Sequence, residues 1–165
     1  MTFDPQTFRQ TMRLWATGVT VVSARHGDAM RGTTVSSFTS VTLDPPLILV
    51  CLQKVTDTAE LILQSGAFSV SMLGEDHQYL SNLFAGFVEL STAANRFEGI
   101  DLITADTGAP IIAGAMGWLD CRLHAVHDGS THHIFIGQVM AASGHHDLDP
   151  MPLIYYNREY RRIDR

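Results

Sequence analysis

Residues 33–54, TTVSSFTSVTLDPPLILVCLQK, join two unlike halves. Thr33, Thr34, Ser36, Ser37, Thr39, Ser40 and Thr42 crowd the first half with hydroxyls, whereas Leu47 to Leu52 is an unbroken apolar run. An apolar run of that length between turn signals reads as a strand buried on both faces. Pro45 and Pro46 must stand before its interior, because proline has no N–H to give to a ladder. The hydroxyl half admits two readings. As a strand it sends Thr34, Ser36 and Phe38 to one side and Val35, Ser37 and Thr39 to the other, so both faces carry hydroxyls. It is then either a solvated surface strand or a polar cradle whose hydroxyls and N–H groups bind a ligand. In the second reading, Lys54 is placed to neutralise a phosphate. The residues alone leave both open.

Working outward, Asp4-Pro5 followed by Phe8, Met12 and Trp15 at helical spacing predicts an amphipathic helix over 5–16. Val19 to Ser23 is rich in β-branched residues and reads as a strand, and His26-Gly27-Asp28 as a turn. Arg31 to Ser40 reads as a second strand or an extended loop, and Leu47 to Leu52 as a central strand. A short helix follows over Asp57 to Gln64, with Thr56 or Asp57 as cap and Gly66 at its end. Ala67 to Leu73 reads as strand. Asp76 to Ala85, with Leu80, Leu83 and Phe84, reads as a helix, and 86–110 as loop. Further strands are expected at Gly117 to Val126, His133 to Ala142 and Leu153 to Tyr156. Strands do not alternate regularly with helices, so a doubly wound parallel sheet is disfavoured. The expected architecture is a mainly β antiparallel barrel with attached helices, in one domain over 1–165.

The chain has 45% hydrophobic and 17% charged residues and a formal charge of −6. That balance fits a globular protein and speaks against broad binding to nucleic acid or anionic membranes, which relies on excess Lys and Arg. Cys51 and Cys121 each lie in an apolar segment and are expected as buried thiols, not a disulfide, in a reducing cytoplasm. The N-terminus lacks the basic-then-apolar pattern of a signal peptide, and the longest apolar run is too short to span a bilayer as a helix. No metal site is expected. His124 and His127 at His-x-x-His spacing on a strand point to opposite faces, as do adjacent His132 and His133. His145-His146-Asp147 reads as a solvated loop. There is neither a G-x-S-x-G elbow nor a G-x-G-x-x-G phosphate loop.

The segments ATGVTVVSA (16–24), GTTVSSFTSVTLDPPLILVCLQK (32–54), SGAFSVSML (65–73), THHIFIGQV (131–139) and PLIYYNREYRRI (152–163) together resemble the short-chain flavin reductase family. These are the reductase components of two-component flavin-dependent monooxygenases. The resemblance covers about Met12 to Ile163 in the family's order. It implies an FMN-binding split barrel of antiparallel Greek-key type, homodimers, FMN or FAD as flavin, NADH or NADPH as reductant, and a separate monooxygenase component. It also implies a flavin site at Thr33, Thr34, Val35, Ser36, Ser37, Ser40, Cys51, Leu52, Gln53, Lys54, Phe84 and Ala85, with Cys51 contributing its backbone. Tyr156 is expected near that site or in the core, and the arginine-rich tail as a solvated end, with Arg158 or Arg161 reaching a partner's flavin or a nucleotide phosphate as the alternative. His132 corresponds to the histidine linked with the nicotinamide. The family often has Gly-Asp before it, where this chain has Ser130-Thr131, so a carboxylate able to orient the imidazole is missing from that position. The implied activity is NAD(P)H:flavin oxidoreduction, by hydride transfer from nicotinamide C4 to flavin N5. A flavin carrier or sensor with little reductase activity is the alternative.

Overall fold

The computed structural model describes residues 2–89, 95–145 and 149–163. Asp4 opens helix α1 (Pro5–Met12), its carboxylate accepting the Gln6 and Thr7 amides at 3.0 Å each. The helix stops short of the expected residue 16. No residue of α1 is buried, and the chain tightens into a turn in which Leu14 N–H donates to Thr11 C=O and Trp15 N–H to Met12 C=O. The chain then forms β1 (Thr17–Gly18), β2 (Thr20–His26), β3 (Ala29–Val35), β4 (Phe38–Leu43) and β5 (Pro46–Gln53). Helix α2 (Asp57–Ser65) follows, capped by the Thr56 hydroxyl and closed by Gly66 at φ 69°. Next come β6 (Ala67–Met72), a 3-10 turn (Glu75–His77) and α3 (Gln78–Phe84). The last strands are β7 (Leu102–Ile103), β8 (Ile111–Ile112), β9 (Gly117–Gly129), β10 (His132–Gly144), β11 (Ile154–Tyr156) and β12 (Glu159–Arg161).

Seven strands form one antiparallel sheet in the order β3-β2-β6-β9-β10-β5-β4. Its two edges, β3 and β4, are consecutive in the chain and separated only by Ser36 and Ser37. So short a link joins opposite edges only if the sheet curls into a barrel. Ser36 and Ser37 therefore interrupt the single strand that alternation suggested. The chain leaves β2 as partner after Val35 and takes up β5 at Phe38, and this is where the barrel is split. Pro46 is the first residue of β5, before its interior, as proline chemistry requires. The fold is a mainly β split barrel.

β5 alternates: Ile48, Val50 and Leu52 are buried while Leu47, Leu49 and Cys51 are half-exposed. The buried set meets Val22, Val35, Phe68, Val70, Cys121 and Phe135 in the interior, and α2 closes the barrel with Ala59, Leu61 and Ile62. A second cluster lies outside β2 and β6, where Val21, Leu73, Leu83, Phe84, Phe97 and Ile112 pack together. Polar groups facing outward from the barrel tie this layer down. Ser69 Oγ donates to Pro110 C=O, Ser71 Oγ accepts the Ile112 amide at 3.1 Å, and the buried Asp120 carboxylate accepts the Thr107 amide at 2.7 Å and its hydroxyl. The described part of the stretch read as loop over 86–110 is thus an ordered outer layer.

Candidate functional site

Above β3, between the N-terminus of α2, the C-terminus of α3 and residues 95–97, lies a cavity of about 640 Å³. That volume suits a cofactor-sized ligand. Its floor is Gly32, where a Cβ would come within 2.9 Å of both the Phe84 and Phe97 rings. Those rings pack tilted at 4.9 Å between centroids, so the absence of a side chain at residue 32 is what lets the aromatic pair close against the strand. Thr33, Thr56, Thr58 and Asn95 give it polar lining, and Arg31 and Arg96 bring positive charge; among the described residues Asp57 is the single acid in the lining. Arg31 Nε donates to Asp57 Oδ2 at 3.0 Å, and Arg96 is anchored by donating to the Leu83 carbonyl.

Of the residues singled out in the sequence, Thr33, Phe84 and Ala85 line this cavity. Thr34 holds its wall: its hydroxyl donates to Ser81 C=O at 2.7 Å, tying α3 to β3. Val35 and Leu52 point into the barrel core. Ser36 and Ser37 are exposed in the split. Ser37 Oγ donates to Cys51 C=O at 2.9 Å and accepts the Cys51 amide at 3.2 Å, so the β4–β5 pairing is carried one residue back into the link from β3. Ser40 is exposed on β4 opposite Ile48, and Gln53 is exposed at the end of β5 opposite His132. Tyr156 is half-buried on β11 opposite Glu159 and lines no part of the cavity.

Lys54 is not turned to the cavity. Its ammonium pairs with Asp128 at 2.7 Å, and this hydrogen bond, foremost among several contacts, holds the Asp128 carboxyl below the usual carboxylate range. The two arginines stand where a free lysine was expected. Lys54 instead fixes the β9–β10 hairpin, its backbone N–H donating to Thr131 C=O at 3.0 Å. His132 begins β10 there, half-buried, with Thr131 Oγ1 at 2.9 Å from its Nδ1. A carboxylate thus does stand in this hairpin, at Asp128, but it lies opposite His133 and not on the His132 ring. Gln53, beside His132, is followed after Lys54 by the residues 55–58 that wall the cavity. One strand end therefore serves both features.

Arg31, Gly32, Asn95 and Arg96 were missed in the sequence, and Thr56 and Asp57 were read only as a helix cap. Arg31 and Gly32 adjoin the hydroxyl stretch and were within reach of it. Nothing local marks Arg96, which reaches the cavity through the outer layer. Among the described residues no group of His, Cys, Asp or Glu has metal-holding geometry. His146 and Asp147 lie outside the described residues. Cys51 and Cys121 are free thiols, and burial pushes Cys121 up to about 12. The donor set and the aromatic pair over Gly32 fit a flat, polar, phosphorylated ligand such as FMN.

The fold is a split barrel with a polar cavity over β3. Residues 12–164 match the model of the Flavin reductase like domain, and the chain belongs to that family. It is 35% identical over 161 residues to the flavin-dependent monooxygenase reductase subunit HsaB of Mycobacterium tuberculosis, covering 98% of this chain and 83% of that one. It is likewise 35% identical over 158 residues to the NADH-dependent flavin reductase StyB of Pseudomonas fluorescens, covering 95% and 89%. The Streptomyces globisporus NADH:FAD oxidoreductase, solved with NAD and FAD fragments, superposes with a TM-score of 0.86 at 31% identity, over 99% and 97% of the two chains.

Proposed function

We propose that this chain is an NAD(P)H:flavin oxidoreductase that reduces FMN or FAD and releases it to a separate monooxygenase component. The single observation that carries the site assignment is the cavity itself, in which Arg31 and Arg96 meet Thr33 and the α2 N-terminus, its wall beginning at Val55, two residues along the chain from Gln53, the strand partner of His132. Bound nicotinamide and flavin supply the redox chemistry, a hydride moving from nicotinamide C4 to flavin N5. What the chain contributes is position and electrostatics. Arg31, Arg96 and the α2 N-terminus hold the flavin phosphate; Thr33 and the split at Ser36 and Ser37 carry the rest of the molecule toward Cys51. His132, its ring oriented by Thr131, orients the nicotinamide.

The working unit in this reading is a homodimer of single-domain subunits in the cytoplasm. Helix α1 buries nothing in its own subunit, and Phe8, Met12, Leu14 and Trp15 are exposed along and after it, an apolar surface suited to a second copy. The test is to incubate purified protein with NADH or NADPH and excess FMN, FAD or riboflavin while following nicotinamide absorbance. Oxidation of many nucleotide equivalents per protein is expected. Flavin binding with no oxidation of either nucleotide contradicts the reading and leaves a carrier in its place.

A further inference from the structure

The cavity assigned above to the flavin phosphate contains its own competitor for that phosphate. Arg31 and Asp57 face each other across its mouth at 3.0 Å, with side chains 48% and 73% exposed. Asp57 is the first residue of α2, where a carboxylate gains from the helix dipole and from the unpaired first-turn amides. It therefore already pairs with the guanidinium that an incoming phosphate would use, and it adds a negative charge at the helix N-terminus that the phosphate would approach. Among the described residues the lining has no other acid, so with Arg31 and Arg96 their formal charge is +1; without the carboxylate it would be +2. A hydroxyl or amide at residue 57 would leave both attractions to the ligand.

We propose that Asp57 limits affinity for phosphorylated flavin, by competing with the phosphate for Arg31 and the α2 N-terminus, so that the flavin product leaves readily. This rests on the flavin reading above. It fits a protein whose product must reach another active site, because tight retention of the flavin would slow every cycle. The interaction is specific to the phosphate. Riboflavin carries the same ring and ribityl chain without the charge, so it separates competition at the phosphate from any general change in the site.

The test measures binding of FMN and of riboflavin to the full chain and to Asp57→Asn, at low and high salt. The expected result is FMN binding about fivefold tighter in Asp57→Asn, a gain that shrinks with added salt, and riboflavin binding unchanged. Arg31→Gln, measured alongside, weakens FMN and spares riboflavin. FMN binding that is unchanged or weaker in Asp57→Asn overturns the proposal, since Asp57 would then be inert or would be holding Arg31 in place for the phosphate. Equal shifts for both flavins overturn it too. Should Asp57→Asn not fold, Asp57→Ser carries the same expectations. A wild-type chain that binds no flavin sinks the function reading itself, whereas wild-type binding without the FMN-specific gain sinks only the role of Asp57.

Discussion

At Ser37 the hydroxyl and the carbonyl both engage the backbone of Cys51, which explains why a hydroxyl stands beside the apolar strand β5. Residue chemistry alone balanced a ligand cradle against a solvated strand, and the individual hydroxyls prove to differ. Thr34 fastens α3, Ser37 closes the split, Thr33 faces the cavity and Ser40 faces solvent. Spacing cannot assign these roles, because the partners Ser81 and Cys51 come from other elements. His132 carries the first prediction. His132→Ala is expected to slow hydride transfer roughly ten- to a hundredfold, with flavin affinity unchanged, because it removes an orienting group rather than a flavin contact. Rapid mixing of NADH with the flavin-loaded protein reads this directly, and an unaltered rate would take the role away from His132.

The elements follow from patterns that are partly local and partly not. The cap, length and end of α2 were legible because Thr56, the apolar face and Gly66 all lie within one short segment. The layer after α3 was not, since it forms through Ser69, Ser71 and Asp120 on distant strands, and no periodicity announces such ties. Strand β10 needs Gly137 for packing: a Cβ there would lie 2.5 Å from Phe68 Cζ and 3.0 Å from Cys121 Cβ. Gly137→Ala should cost about 1–3 kcal/mol in chemical denaturation, the usual penalty for overfilling a packed core. The 3-10 turn before α3 carries a pH dependence. His77 Nδ1 accepts the Gly74 amide at 3.1 Å, and burial lowers the pKa of His77 from 6.5, against a smaller opposing pull from Asp76. A depressed folded-state pKa means that the unfolded chain binds the proton more readily. The stability gained is then fully present above 6.5 and is lost as pH falls below that value through the lowered one. Thermal unfolding followed from about pH 7 to about pH 5 should show wild type losing more stability than His77→Gln.

For the whole molecule, the curled sheet brings its two edges together at Ser36 and Ser37, while the aromatic-walled cavity lies over Met30 to Thr33 of β3 beside the α2 N-terminus. The fold class was within reach of the sequence because turns, prolines and strand runs are local signals, and the family resemblance then supplied the topology. The cations of the cavity were not, because Lys54 looked free in the sequence and only the β9–β10 hairpin supplies the Asp128 that binds it. In the flavin reading the cavity and the split form one continuous site. Titrating FMN into isotope-labelled protein and following the backbone amides tests this. The amides of Gly32, Thr33, Ser37, Cys51, Thr58 and Gly86 are expected to shift together along a single saturation curve. Shifts confined to residues away from this set, or separate curves for the cavity and for the Ser37–Cys51 end, would contradict it.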